Sequence, residues 1–276
     1  VAVLVAVKVT DGQLLHSAEH LAAQLMQEAL RHIRHELRVD RHGENGERVE
    51  HDEQCEIGLD LRLGGGPVAT DIPLFNDLND VLREATFMDQ ALPINILPLK
   101  FEMVSCGIAF TVRSNPDPTV GGEMEIRAKM LDDMPCNCCV VWDAGEETEA
   151  AHWGEVMTAS AIARGARCAV VNGGLRDTRK VLAQNFPVFY RYRSSNGSLG
   201  RTKITGYNIP VRIGKVYIKP GDVIFGDIDG VVVIPRAIAY DVLVRAEEIN
   251  TNEREMRGWV HPGFSAVEMV NNGGYF

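Results

Sequence analysis

The stretch AHWGEVMTASAIARGARCAVVNGGLRD, Ala151 to Asp177, decides the architecture of this chain. Its first half reads as a helix that begins near Gly154 and ends at Gly165, a normal C-terminal stop. Its second half, RCAVVNGG, is an apolar run of strand length, as expected for a buried strand. Just upstream, CCVVWDAG, Cys138 to Gly145, is a second buried strand ending in a turn. The succession describes βαβ-like units of an α/β sheet. Two glycines then precede Arg176 and Asp177, placed side by side.

The same mixed rhythm continues on both sides. LFNDLNDVLREA (from Leu74) is helical, MVSCGIAFTVRS (from Met103) reads as a strand, and GEMEIRAKMLDD (from Gly122) is a short helix. Downstream, FPVFYRY and IPVRIG are short strands. KVYIKPGDVIFGDIDGVVVIP, Lys215 to Pro235, is a set of strands joined by Pro-Gly-Asp and Asp-Gly turns. IAYDVLVRAEEINTNEREMR is a long amphipathic helix.

The beginning of the chain differs. From Gly12 to Leu37 apolar residues recur at helical spacing, and a polar loop or hairpin with a turn near Asn45-Gly46 follows. His16 and His20 stand one helical turn apart with no third ligand in view, so they read as a solvated face. The punctuation GGGP, Gly64 to Pro67, separates an extension of residues 1–66 from a domain of residues 67–276.

Composition narrows the function. The 276 residues are 45% hydrophobic and 24% charged, enough for one domain with a substantial core plus an appendage. The net charge of -10 disfavours a protein built to grip phosphate backbones, so no nucleic-acid partner is expected. No apolar run approaches the ~20 residues of a membrane span, and the opening VAVLVAVKV reads as a strand. Cys136, Cys138 and Cys139 lack the spacing of zinc pairs and run into Val140-Val141-Trp142, which favours a strand with small buried side chains. Six cysteines in a chain of this length make no disulfide framework, and reduced cysteines suggest a cytoplasmic protein. The P-loop, GxGxxG and GxSxG patterns are absent.

Ligands of α/β sheets collect at the carboxyl ends of strands, where both turns lie. The backbone N–H groups of Gly154, Glu155, Val156 and Met157 open a helix and favour an anion. Arg176 offers a planar fork to a carboxylate, and Asp177 an oxygen ligand to a hard cation. The bland reading stands beside this one: the glycines serve the backbone, Glu155 complements the helix dipole, and Arg176 and Asp177 make surface ion pairs worth roughly 0–1 kcal/mol.

The quoted stretch resembles the signature of the RraA-like family. That family holds class II, metal-dependent pyruvate aldolases acting on 4-hydroxy-4-methyl-2-oxoglutarate and 4-carboxy-4-hydroxy-2-oxoadipate, together with the regulator of ribonuclease E activity. Its pattern is an acidic residue, twenty intervening residues, then Arg-Asp; here Glu155 precedes Arg176-Asp177 by that interval. FPVFYRY, the long PGDVIFGDIDGVVVIP block and the closing GFSAVEM follow in the family's order, so the resemblance spans about Leu74 to Phe276.

The resemblance implies a swivelling β/β/α domain, here with an N-terminal helical extension. It implies a lyase that cleaves or decarboxylates a 2-oxo acid through a pyruvate enolate. Mg²⁺ or Mn²⁺ would be bound by Asp177, with Glu155 and an acidic residue of a neighbouring subunit's late helix, Glu253 or else Glu255, holding metal-bound waters. Arg176 would stabilise the enolate, and the amides from Gly154 to Met157 would hold the carboxylate. The family resemblance also implies a homotrimer or homohexamer. A non-catalytic protein-binding regulator and a metal-enolate enzyme acting on sugar acids are the alternatives. Two departures are visible: the aldolases often carry an acidic residue where this chain has Lys180, and residues 1 to about 63 match no part of the family's pattern.

Overall fold

The computed structural model describes residues 75–259 and 265–271. The expected N-terminal helix, the His16–His20 pair and the boundary at Gly64–Pro67 lie outside the described residues.

Four strands form the parallel heart of the sheet: β2 (Ser105–Pro116), β3 (Cys138–Asp143), β5 (Cys168–Leu175) and β6 (Val188–Arg193). The antiparallel hairpin β10 (Val223–Asp227) and β11 (Gly230–Ile234) pairs with β2, and the short β1 (Leu97–Pro98) pairs with β6. The resulting order is β1-β6-β5-β3-β2-β10-β11. A bridge between Ala91 and Val232 ties the two edges together, so the sheet is nearly closed into a barrel. β4 (Ala151–Trp153) adds to β5, and β7 (Thr202–Tyr207) to β2.

Three apolar clusters explain the strand sequences. Inside the sheet, Cys139, Val141, Val170 and Phe189 meet the small hairpin β8 (Val211–Ile213) and β9 (Val216–Ile218). Outside it, Val140, Trp142, Ala169 and Val171 pack under α2 (Glu123–Asp132), α3 (Glu155–Ala163) and α4 (Thr178–Ala183). Alternate residues of β3 and β5 thus feed both clusters, which is why these strands read as unbroken apolar runs. Burying one such side chain contributes roughly 1.5–3 kcal/mol. The third cluster joins α1 (Phe75–Glu84) and the long α5 (Ala239–Trp259) to β10–β11. A last short helix, α6, spans Ala266–Asn271.

The elements expected within the described residues are present, and β1, β4, β7, α4 and α6 are additions. The residues before Gly154 form strand β4 rather than the start of the helix, a further strand β7 forms, and a six-residue helix α4 follows Asp177. Gly173 and Gly174 close the expected strand RCAVVNGG, and β5 runs one residue further, to Leu175. Their small size answers crowding. A Cβ on Gly173 would fall 2.6 Å from His152 Nδ1, and one on Gly174 would collide with the Ala150 carbonyl oxygen and lie 2.7 Å from the Tyr192 ring.

Candidate active site

Two turns meet because β4 runs beside β5, with Trp153 in register with Leu175. The Arg176 N–H donates to the Trp153 carbonyl at 3.0 Å, which seats Arg176 against the first turn of α3. Buried Thr158 anchors that turn: its hydroxyl donates to the Gly154 carbonyl at 3.0 Å and accepts from Trp153 Nε1 at 2.9 Å. Gly154 is the helix N-cap, and no side chain caps it. The α3 ladder begins with the Thr158 N–H donating to Gly154, so the amides of Glu155, Val156 and Met157 precede the first rung. A Cβ at residue 154 would fall 2.9 Å from Asp177 Oδ2 and 3.1 Å from Arg176 Cγ. Only glycine leaves room there for this Arg-Asp pair.

Asp177 adopts the left-handed region at φ 53° and ψ 30°, uncommon for a residue with a side chain. It precedes α4 as its N-cap, yet its carboxylate makes no capping bond. Instead Oδ2 lies 3.6 Å from Arg176 Nε, both side chains being about half exposed. A strained aspartate that gives up the usual cap is an arrangement found where a side chain is aimed for function.

The other predicted residues are partly brought together. Glu155 stands in the first turn of α3, and its Oε2 accepts a 2.6 Å bond from Lys180 Nζ on α4. This bond raises the Lys180 pKa above its ordinary value. Val156 points to solvent and Met157 into the core, so these two offer the site only their backbone. Glu253 belongs to α5, which packs on α1 and β10–β11, away from the cluster beneath α3 and α4; its side chain is outside the described residues.

An open cavity of about 420 Å³ adjoins the pair. Leu175, Arg176, Asp177 and Thr178 form one part of its lining, and Arg193, Ser194 and Ser195 the other. The second group was not anticipated. Arg193 ends β6 in register with Leu175, and the Ser194 N–H donates to the Leu175 carbonyl at 3.0 Å. Gly197 of the same loop comes so close to Arg176 that a Cβ there would sit 3.1 Å from its Nη1. The signal available was an arginine at a strand's carboxyl end running straight into the small, polar SSNGS loop.

Buried polar groups support the turns from below. Glu123 and Arg127 of α2 pair at 2.5 Å, and Arg127 also donates to the His152 carbonyl at 3.4 Å. The His152 side chain is fully buried, 3.9 Å from Glu147. Desolvation lowers its pKa to about 4, against the opposing pull of Glu147. Burial pushes the Glu147 carboxyl up, but the N–H groups of Glu149 and Ala150 and the Tyr192 hydroxyl outweigh it and hold the carboxyl below its ordinary value.

The donor chemistry selects among cations. Among the described residues no group of three or more His, Cys, Asp or Glu side chains converges on a metal position. The set therefore does not suit zinc. An uncapped carboxylate at Asp177 with Glu155 at the adjoining turn suits a Mg²⁺-like ion, which takes one or two carboxylates and leaves the rest to water and substrate. The cysteines stay out of it: Cys138 and Cys139 point to opposite faces of β3, and burial pushes both thiols well up; it pushes the Cys106 thiol up to about 12.

A mixed α/β domain with a nearly closed sheet, and a polar cavity at the carboxyl ends of its parallel strands, is the class that these features define. Residues 75–233 match the model of the RraA-like family, described as Aldolase/RraA, and the chain belongs to that family. A Halalkalibacterium halodurans protein, named as a candidate 4-hydroxy-4-methyl-2-oxoglutarate aldolase, is 35% identical over 128 residues, 46% of this chain and 60% of that one. A solved structure described among novel cellulases from microbes of the gut ecosystem is 52% identical, with a TM-score of 0.65 over 66% of this chain and 82% of that one. Streptomyces coelicolor RraAS2, described as an unusual member of the RNase ES inhibitor RraA family, shares the fold at 21% identity and a TM-score of 0.60, over 66% of this chain and 90% of that one. The chain spans 60% or less of the length of the curated relatives it matches.

Proposed function

We propose that this chain is a divalent-metal-dependent lyase that cleaves or decarboxylates a 2-oxo acid through a pyruvate enolate. The observation that carries the reading is Asp177: left-handed, uncapped, and fitted against Gly154 and Arg176 beside an open cavity. Asp177 would hold Mg²⁺ or Mn²⁺ directly, and Glu155 and the partner subunit's Glu253 would hold it through water, in a homotrimer or homohexamer. The cation, when bound, supplies Lewis acidity at the keto oxygen. Arg176 directs its fork at the same oxygen and stabilises the negative charge that develops there. The amides at the start of α3 orient the substrate carboxylate. A water relays the proton, since the buried His152 is already committed to the core.

The aldolase-like relative supports this reading. The cellulase description does not come over with it. Glycosidases use two carboxylates flanking the scissile bond, and Asp177 is the one acidic residue among those lining the cavity. A protein-binding regulator of the ribonuclease-inhibitor type has no need of an uncapped, left-handed aspartate.

The test is pyruvate release from 4-hydroxy-2-oxo acids and oxaloacetate, measured with Mg²⁺, after exhaustive chelation and after Mn²⁺ is added back. Release should vanish on chelation and return with either cation. Undiminished turnover in chelator, or no release from any substrate, would sink the proposal.

A further inference from the structure

Helix α4 grips Glu155 at two points. Gln184 Nε2 donates to the Glu155 backbone carbonyl at 3.2 Å, and Lys180 Nζ donates to its Oε2 at 2.6 Å. The lysine is also fixed close to the Arg-Asp pair, because its backbone N–H donates to the Asp177 carbonyl at 2.8 Å. The Glu155 carboxylate and, more weakly, that of Asp177 both favour the charged ammonium. A positive charge carried by the chain thus already sits between the two acidic groups of the site. An ammonium and a hydrated divalent cation make the same demand on a carboxylate, since each is satisfied by its oxygens. A metal-bound water reaching Glu155 Oε2 has to displace Lys180 or share that oxygen with it, and sharing brings two positive charges together.

We propose that Lys180 is a tethered competitor for the divalent cation: by engaging Glu155 and placing its charge beside Asp177, it keeps the Mg²⁺ affinity of the site low, so that occupancy follows the free Mg²⁺ concentration. The inference rests on the lyase reading above, in which Asp177 and Glu155 take the cation. Lys180 is then a positioning residue, acting through Glu155 and through its charge, and the reacting atoms stay with Arg176. The ion pair is open to solvent, with 64% of the lysine side chain and 37% of the glutamate side chain exposed. Water and salt therefore limit the effect to several-fold rather than several hundredfold.

The experiment is a calorimetric titration of the full chain with Mg²⁺ alone, without substrate. Lys180→Gln should tighten Mg²⁺ binding by about three- to tenfold and leave the thermal midpoint in chelator unchanged. Lys180→Arg keeps the charge and should bind Mg²⁺ as the unaltered protein does. A tighter site is not what loss of a merely structural lysine produces. Unchanged or weaker Mg²⁺ binding in Lys180→Gln, or an equal gain in Lys180→Arg, overturns this inference alone. If neither the unaltered protein nor Lys180→Gln binds Mg²⁺, or if Asp177→Asn binds it as tightly as the unaltered protein, the lyase reading falls and this inference with it.

Discussion

Asp177 and Gly154 are mutually dependent, and substitutions should separate their effects. Asp177→Gly suits φ 53° better than aspartate does, so folding stability should stay within about 1 kcal/mol. Metal-dependent turnover should nonetheless disappear. Gly154→Ala should also fold, since the atoms it meets belong to the half-exposed Arg176 and Asp177 side chains, but it should displace both and weaken Mg²⁺ binding. Arg176→Lys keeps the charge and loses the fork; turnover should fall on the order of 10²-fold with metal affinity retained. His152 carries a pH signature. Its folded pKa, about 4, lies below the unfolded value near 6.5, so its neutral form contributes stability above pH 6.5. That contribution is lost as pH falls toward 4, by about 2 kcal/mol between pH 6.5 and 5. Urea unfolding at pH 7.5 and 5 should show the drop, and His152→Asn should flatten it. Gly154, Arg176 and Asp177 were legible because the family spacing is local in sequence. Arg193 and the Lys180–Glu155 bond were not, because each joins segments that only the folded sheet and helices bring together.

At the scale of elements, β5 is set by what presses on it. The sequence RCAVVNGG reads as a strand that ends in two glycines, and glycine is usually read through backbone freedom. Here the cause is contact: β4 and Tyr192 approach too closely for a Cβ at residue 174. Gly174→Ala should therefore destabilise the protein by about 1–3 kcal/mol. Gly121→Ala, where a Cβ meets nothing within 4 Å, should change it by less than about 0.5 kcal/mol. Denaturant midpoints for the pair check this, and equal midpoints would remove the packing explanation. β3, β10 and β11 were legible as apolar runs bounded by turns and α5 from its helical period, and all four match their expected places. β4 has three residues and α4 six, too short to show a period, and β7 follows a glycine- and serine-rich loop that hides its alternation.

At the scale of the molecule, the nearly closed sheet gives the site a rigid floor, and the exposed pair sits on turns at its rim. The proposed Glu253 contribution requires a second copy of the chain. Exposed Val156, adjoining Glu155, is the kind of apolar residue that such a copy would cover. Sedimentation should show a trimer or hexamer, and Glu253→Gln should weaken Mg²⁺ binding while leaving assembly intact; a fully active monomer would contradict this part of the account. The central claim is that Asp177 brings a divalent cation to a 2-oxo acid. Its most direct test is the initial rate of pyruvate formation from oxaloacetate at saturating Mg²⁺, for the unaltered protein and for Asp177→Asn. The account predicts a Mg²⁺-dependent rate in the first and only the uncatalysed background in the second, with both proteins folded. An Asp177→Asn protein that turns over oxaloacetate at the unaltered rate would contradict it.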